Sequence, residues 1–514
     1  MHRRTGGLLL VACLASTYLV ACATSPGVVS TEAHAGNPAA ESTTPPDDSS
    51  QPSSPSTTPS TDAPGTSPAA GEATVPSTTP DDDGIGDELF PSLGNPGIDV
   101  EHYTVAIDYD PTRTKLSATE HLDIVMTEDR DGFTLDSDGP NVTAVSIDGA
   151  PAQFEAAPPE LLITPATPLT SGQRIGVDVT YTLSPQPVPS AAGEQVGWFP
   201  SAAGSYVLNE PEGAHTWLPS DDHPSDKATF RFELTVPSGL TGVANGALVD
   251  HTSTATTDTW IWQEDRQMAT YLIQVLTGDY EVIEGSGPNG LPLLSVVLHQ
   301  DRDTMQPYLD TMSEQIDYFD DWFGAYPLDR YGIAITDSFP GLAMETMERP
   351  TFSRGDFSTG RLDTQQQLFL AHELAHQWFG DAVSPAEWND VWLNESFATY
   401  GEWMWLDHLG LMPIESSANA GLAAREPHST ADPTVDEMFT INSYDGGAVI
   451  LHALRKTIGD DLFFTLLRRW VADNNGQSRT TEDFVKLANE VSGQDLTEFF
   501  ATWLYADVLP TTFP

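Results

Sequence analysis

Residues 372–395 read His372-Glu373-Leu374-Ala375-His376, then eighteen further residues, then Glu395. On an α-helix, histidines at i and i+4 stand one turn apart on one face, with roughly 6 Å between their Cβ atoms. Both imidazoles can therefore reach one metal ion. Glu373 follows the first histidine directly, so its carboxylate can lie beside the metal and take a proton from water bound there. H-E-x-x-H is the pattern of zinc hydrolases. The helix is well specified locally. Asp363 or Thr364 can cap its N-terminus, Gln365 to Phe379 holds no Gly or Pro, and Gly380 supplies a stop. The downstream run Asn389-Asp390-Val391-Trp392-Leu393-Asn394-Glu395-Ser396 makes a chance match rarer still.

Outward from that stretch, the 514 residues leave room for two or three domains. The two cysteines, Cys13 and Cys22, both fall near the start. His2, Arg3 and Arg4 followed by an apolar stretch from about Leu8 to Val20 read as a bacterial export signal, too short for a spanning helix. Leu19-Val20-Ala21-Cys22 resembles a lipobox, which implies cleavage after residue 21, acylation of Cys22 and a mature chain without disulfides. The expected location is the outer face of the bacterial cytoplasmic membrane, held there by the lipid alone.

Residues 23–89 are Ser, Thr, Pro, Ala and Asp with scarcely a large apolar side chain, and no Lys or Arg occurs between Arg4 and Arg113. Such a stretch cannot bury enough surface to fold, so a disordered tether is expected there. Across the chain 75 Asp and Glu oppose 21 Lys and Arg, a formal net charge of −54. That excess argues against nucleic acid and anionic lipid surfaces as partners.

Residues 90–287 carry a strand pattern. Tyr103, Val105, Ile107 and Tyr109 alternate with polar residues, as do Phe230, Phe232, Leu234 and Val236. Asp131-Gly132, Asp148-Gly149, Ser171-Gly172 and Asn245-Gly246 punctuate the region as turns. An all-β, sandwich-like domain is expected. Over 288–514 the period changes. A strand near Leu293–His299 precedes a helical face of Leu309, Met312, Ile316, Phe319 and Phe323, and a β run at Tyr331–Thr336 leads to Gly341-Leu342-Ala343-Met344-Glu345-Thr346. Helices are expected at 395–406, 444–458, 460–473, 481–491 and 496–504. The fold class is thus multidomain: a β domain followed by an α+β, mainly helical, metallopeptidase-like domain.

Four separated stretches together resemble the M1 family of zinc aminopeptidases, the gluzincins, whose catalytic domain is thermolysin-like. They are His372 to Asp381 with Trp392-Leu393-Asn394-Glu395, Ala343-Met344-Glu345, Glu210 to Pro219 running on to Asp226-Lys227-Ala228, and Tyr444-Asp445-Gly446-Gly447. The resemblance implies one zinc ion held by His372, His376 and Glu395, with water in the fourth position. Glu373 would be the general base and Tyr444 the donor to the oxyanion. Glu345 and Glu210 would grip the substrate's α-ammonium, with the backbone of Ala343 and Met344 lining the cleft. Peptides with a free N-terminus are the implied substrates. Three positions depart from the family pattern: Leu342 and Thr346 stand where its G-x-M-E-N motif has Gly and Asn, and Gly446 where a Lys is often found. Larger relatives continue into a helical domain that caps the cleft, so a short form with an open cleft is expected here. Two rivals stay open: a gluzincin endopeptidase, which needs no ammonium anchor, and a non-catalytic peptide-binding module on the same fold. The preferred terminal residue and the oligomeric state are not legible.

Overall fold

The alternating apolar residues build the first sheet. Tyr103, Val105, Ile107, Phe230, Phe232 and Leu234 are all buried, on the neighbouring strands Ile98–Asp108 and Lys227–Pro237. These two strands run parallel, with Tyr103 opposite Phe230 and Val105 opposite Phe232, and the Tyr103 and Phe230 rings stack at 4.9 Å. They sit centrally in an eight-stranded sheet whose other pairings are antiparallel. A five-stranded sheet, a three-stranded sheet and the large sheet share one hydrophobic core. These statements concern the computed structural model, which describes residues 84–110, 115–339 and 341–514. The export signal, Cys22 and the tether as far as residue 83 lie outside the described residues.

A second five-stranded sheet opens the helical half, in the order Tyr280–Ser286, Pro292–Leu298, Ala334–Thr336, Thr351–Ser353, Ala343–Met344. The helices Arg302–Phe323, Thr364–His376, Trp392–His408, Gly447–Ile458, Asp460–Asn474 and Thr481–Ser492 pack a core of their own around Phe319, Leu370, Trp378, Phe397, Trp405 and Phe484. The helix Trp392–His408 is buried through to Leu406, its polar Asn394, Glu395, Ser396, Thr399 and Glu402 included, because neighbours cover every face.

Three expectations need correction, and one helix adds to them. The tether ends earlier than residue 89, because residues 84–89 are folded against the body. Asp87 is 3% exposed, and its carboxylate accepts from the amides of Leu89, Phe90 and Trp388 and pairs with His223 Nε2 at 3.1 Å. Composition cannot announce a segment held largely by one satisfied carboxylate, with Leu89 its one apolar side chain against the core. The divide at 287 splits a hairpin, since Tyr280–Ser286 pairs with Pro292–Leu298 from Tyr280–Leu298 to Ser286–Pro292. That strand therefore belongs to the second sheet. The metal-binding helix ends at His376, three residues short of Phe379, as the amides of Gln377 and Trp378 tighten onto the carbonyls three residues back. Finally, Ile414–Ala424 is a helix that no apolar stripe marks, being rich in Ala, Ser and Gly.

In the β half His215 donates from its backbone N and its Nδ1 to Asp222 Oδ2, at 2.9 and 2.8 Å, and Thr270 Oγ1 donates to Asp222 Oδ1 at 2.6 Å. Burial alone would lower the imidazole's pKa, but the hydrogen bond and charge of Asp222 outweigh it and raise it from 6.5 to about 9. The native state thus holds a proton that the unfolded chain releases. This stabilisation is complete below 6.5 and is lost as pH rises through 9. Relative to His215→Asn, the wild type should lose about 3 kcal/mol of unfolding free energy across that window. Urea unfolding at a series of pH values checks this, and a pH-independent difference between the two proteins refutes it.

Candidate metal centre and active site

The helix Thr364–His376 starts where the sequence places its cap. Asp363 Oδ1 accepts from the Gln365 amide at 3.1 Å, and Gln366 returns a bond to the Asp363 amide, closing a capping box. One turn apart, His372 and His376 face Glu395, which enters from the first turn of Trp392–His408. His372 Nε2 lies 3.1 Å and His376 Nε2 3.5 Å from Glu395 Oε2, and the ligating atoms of the three residues all fall within 4.8 Å of one another. Ligands at about 2.1 Å from a tetrahedral zinc ion stand about 3.4 Å apart, so the spacing fits one.

Both imidazoles have their other nitrogen engaged. His372 Nδ1 donates to Glu402 Oε1 at 2.5 Å, and His376 Nδ1 to the Phe379 carbonyl at 3.1 Å. Each ring therefore turns Nε2 to the centre, the arrangement that fixes tautomer and orientation in metal sites. Burial would raise the Glu395 carboxyl, yet the charge of His376 and hydrogen bonds from both histidines bring it down to about 2.

Three more carboxylates converge here. Glu345 and Glu373 reach within 4.8 Å of His376, and Glu210 and Glu345 within 4.8 Å of Glu395. Of the overlapping sets, the one with two ring nitrogens and a carboxylate suits zinc best. Glu373 Oε2, Glu345 Oε1 and Glu210 Oε1 are buried without a hydrogen-bond partner among the described residues. Burial holds Glu373 up at about 8, against the pull of the His372 and His376 charges. Burial also raises Glu345, and it raises Glu210 well above the carboxylate range with help from the like charges of Glu345, Glu395 and Glu373. Such groups call for a cation.

Glu210 follows the strand Gly204–Leu208, and Glu212 instead turns to the Ala191 amide. Ala343 and Met344 form a short edge strand beside Thr351–Ser353, with both side chains buried. Tyr444 sits in a π-helical turn, Asn442–Gly446, its ring nearly parallel to that of His372 at 6.1 Å between centroids. Such turns recur at functional sites because they push one side chain out of helical register. Glu210, Glu345, Glu373 and Tyr444 thus gather around His372, His376 and Glu395, with Ala343 and Met344 leading directly into Glu345.

Residues 308–503 match the model of the peptidase family M1 domain, and residues 99–272 that of the peptidase M1 N-terminal domain. The M1 zinc metallopeptidase of Deinococcus radiodurans superposes with a TM-score of 0.76 at 30% identity, over 83% of this chain and 98% of its own. The chain belongs to the M1 peptidase family. Its curated relatives include Aminopeptidase M1-C of Oryza sativa subsp. japonica, 27% identical over 56% of this chain and 35% of the relative. Probable aminopeptidase 2 of Sulfurisphaera tokodaii is 28% identical, over 60% of this chain and 42% of its own. The chain thus spans well under half the length of these relatives. M1 peptidases are zinc hydrolases, and the centre suits a single zinc ion.

Sequence reasoning overlooked Glu402. Its signal is the seven-residue spacing from Glu395, two turns along the same helix face. In this M1 peptidase, Glu402→Gln should weaken zinc binding by about 10- to 100-fold, as loss of a carboxylate behind a ligating histidine does elsewhere. Competition with a chelator measures it, and unchanged affinity removes Glu402 from the metal centre.

Proposed function

We propose that the protein is a zinc aminopeptidase that hydrolyses the N-terminal peptide bond of peptides. The observation that carries this reading is the pair Glu210 and Glu345. Both are buried beside the metal centre, each with an oxygen that lacks a partner among the described residues. A substrate's α-ammonium supplies the missing cation, and its loss from such a site costs several kcal/mol. Binding the terminus there sets which bond meets the chemistry.

His372, His376 and Glu395 would hold zinc, which supplies Lewis acidity: it polarises the scissile carbonyl and acidifies water. Glu373 takes the proton from the attacking water and passes it to the leaving amine. Tyr444 donates a hydrogen bond to the developing oxyanion, worth about 3 kcal/mol for donors of this kind. The edge strand Ala343–Met344 offers backbone groups along which the substrate's main chain can lie. A variant of the Deinococcus neighbour has been crystallised with the substrate Tyr-Ser-Ala, a short peptide, which supports this substrate class.

One peptide in free and N-acetylated forms separates the alternatives when incubated with the zinc-loaded protein and followed by mass spectrometry. Single residues should leave the N-terminus of the free form only. Glu345→Ala should cut that activity sharply, and Glu373→Gln should abolish turnover with zinc still bound. Internal cleavage of both forms would mean an endopeptidase, and cleavage of neither would leave a binding module.

For location, we propose export and a lipid anchor at Cys22, on the lipobox-like Leu19-Val20-Ala21-Cys22 and the apolar stretch before it. Among the described residues no helix is long and apolar enough to cross a membrane. Cys22→Ser should move the protein from the membrane fraction to the medium on expression in a bacterium that acylates lipoproteins. Retention on the membrane would sink the anchor.

A further inference from the structure

Glu345 stands just beyond the support of its own sheet. The edge strand pairs only Ala343 with Phe352 and Met344 with Thr351, and the ladder stops one residue before the glutamate. Glu345 then enters a turn closed by Thr346, whose Oγ1 donates to the Arg349 carbonyl at 2.7 Å and whose own carbonyl accepts from the Arg349 amide at 3.0 Å. Thr351 Oγ1 is 3.0 Å from the same hydroxyl.

The fully buried Gln274 reaches this turn from the β half. Its Nε2 lies 3.0 Å from Thr346 Oγ1, 2.7 Å from the Arg349 carbonyl and 2.8 Å from Thr351 Oγ1, while its Oε1 accepts from Arg349 Nη1 at 2.8 Å. Asn245 backs it up, accepting from the Gln274 amide at 2.6 Å and donating to the Leu272 and Met347 carbonyls. The preceding residue, Ile273, accepts through its carbonyl from Asn209 Nδ2 at 2.9 Å, and Asn209 directly precedes Glu210. One dipeptide, Ile273-Gln274, therefore holds the neighbours of both Glu210 and Glu345.

We propose that Gln274 and Thr346 are positioning residues that set the separation of the two ammonium-gripping carboxylates, in a chain that carries Thr where the family motif has Asn. This rests on the aminopeptidase reading above. Because Glu345 Oε1 has no partner among the described residues, its place depends on the backbone of residues 345 and 346, and Gln274 ties that backbone to the frame that also carries Glu210. Buried amide and hydroxyl networks of this kind rigidify when every member is satisfied. A shift of a few tenths of an ångström between the carboxylates would loosen their shared hold on one small cation without touching the metal or the base.

The test uses the zinc-loaded full chain carrying Glu373→Gln, so that substrate binds without turnover. Calorimetry compares the tripeptide Tyr-Ser-Ala with its N-acetylated form. Thr346→Val, which keeps the shape and removes the hydroxyl, should weaken the free tripeptide about tenfold and leave the acetylated one unchanged, because only the former uses the ammonium grip. Gln274→Met should do the same, and Thr346→Ser should restore the affinity. In the turnover-competent enzyme the same variants should raise KM with kcat nearly unchanged. Equal weakening of both peptides, or of neither, overturns the positioning role, as does failure of Thr346→Ser to rescue. If Thr346→Val does not fold, Gln274→Met and the serine rescue decide alone. A Glu373→Gln protein with no preference for the free tripeptide defeats the aminopeptidase reading itself, a result visible before any change at Gln274 or Thr346.

Discussion

Five carboxylates withdrawn from water around two imidazoles set the terms for this molecule. Glu210, Glu345, Glu373, Glu395 and Glu402 are all buried there. Charges held so far from solvent are strongly unfavourable unless cations or donors answer them. Glu402 and Glu395 are answered by the histidines. The remaining three keep oxygens with no partner among the described residues, and the proposed binding of a substrate amine rests on this residual demand. The surrounding structure keeps these groups close: two packed helices, an edge strand and the end of a β-strand are each fixed by their own core.

The two halves contribute unequally. The helical half supplies His372, His376, Glu395, Glu373 and Tyr444, whereas the β half supplies Glu210 and the backbone frame that carries it. The pair Glu210 and Glu345 is therefore drawn from both sides of the junction. The junction itself is tied by buried polar contacts such as Lys227 Nζ to the Asp381 carbonyl and Tyr271 OH to the Gly380 carbonyl. The metal-binding helix is thus held directly at its C-terminal exit by side chains from the β half.

Much of this was legible in sequence because period and spacing carry it. The alternation at Tyr103–Tyr109 and Phe230–Val236 specified half-buried strands, and the i, i+4 histidines specified one face of a capped helix. What escaped notice depends on tertiary contact. Asp87 looks like tether until Trp388 and His223 arrive, and the helix Ile414–Ala424 has too few large apolar residues to show a stripe. Glu402 has a readable spacing, but its role appears only when His372 turns Nδ1 toward it. Gln274 has no local signature, since its partners lie more than 70 residues ahead in the chain.

The hydrogen bond from the Trp388 amide to Asp87 spans 301 residues. A chain made from its N-terminus exposes Asp87 long before Trp388 exists, and the β sheets can pair before the helical half is complete. This bond cannot form until the chain has been made as far as Trp388 and that segment has folded back onto the first residues of the body. Until then the first folded residues have only the nearby part of their anchor. Of the contacts described here, it closes the longest loop, and loops of that length are costly to close before other contacts have shortened them.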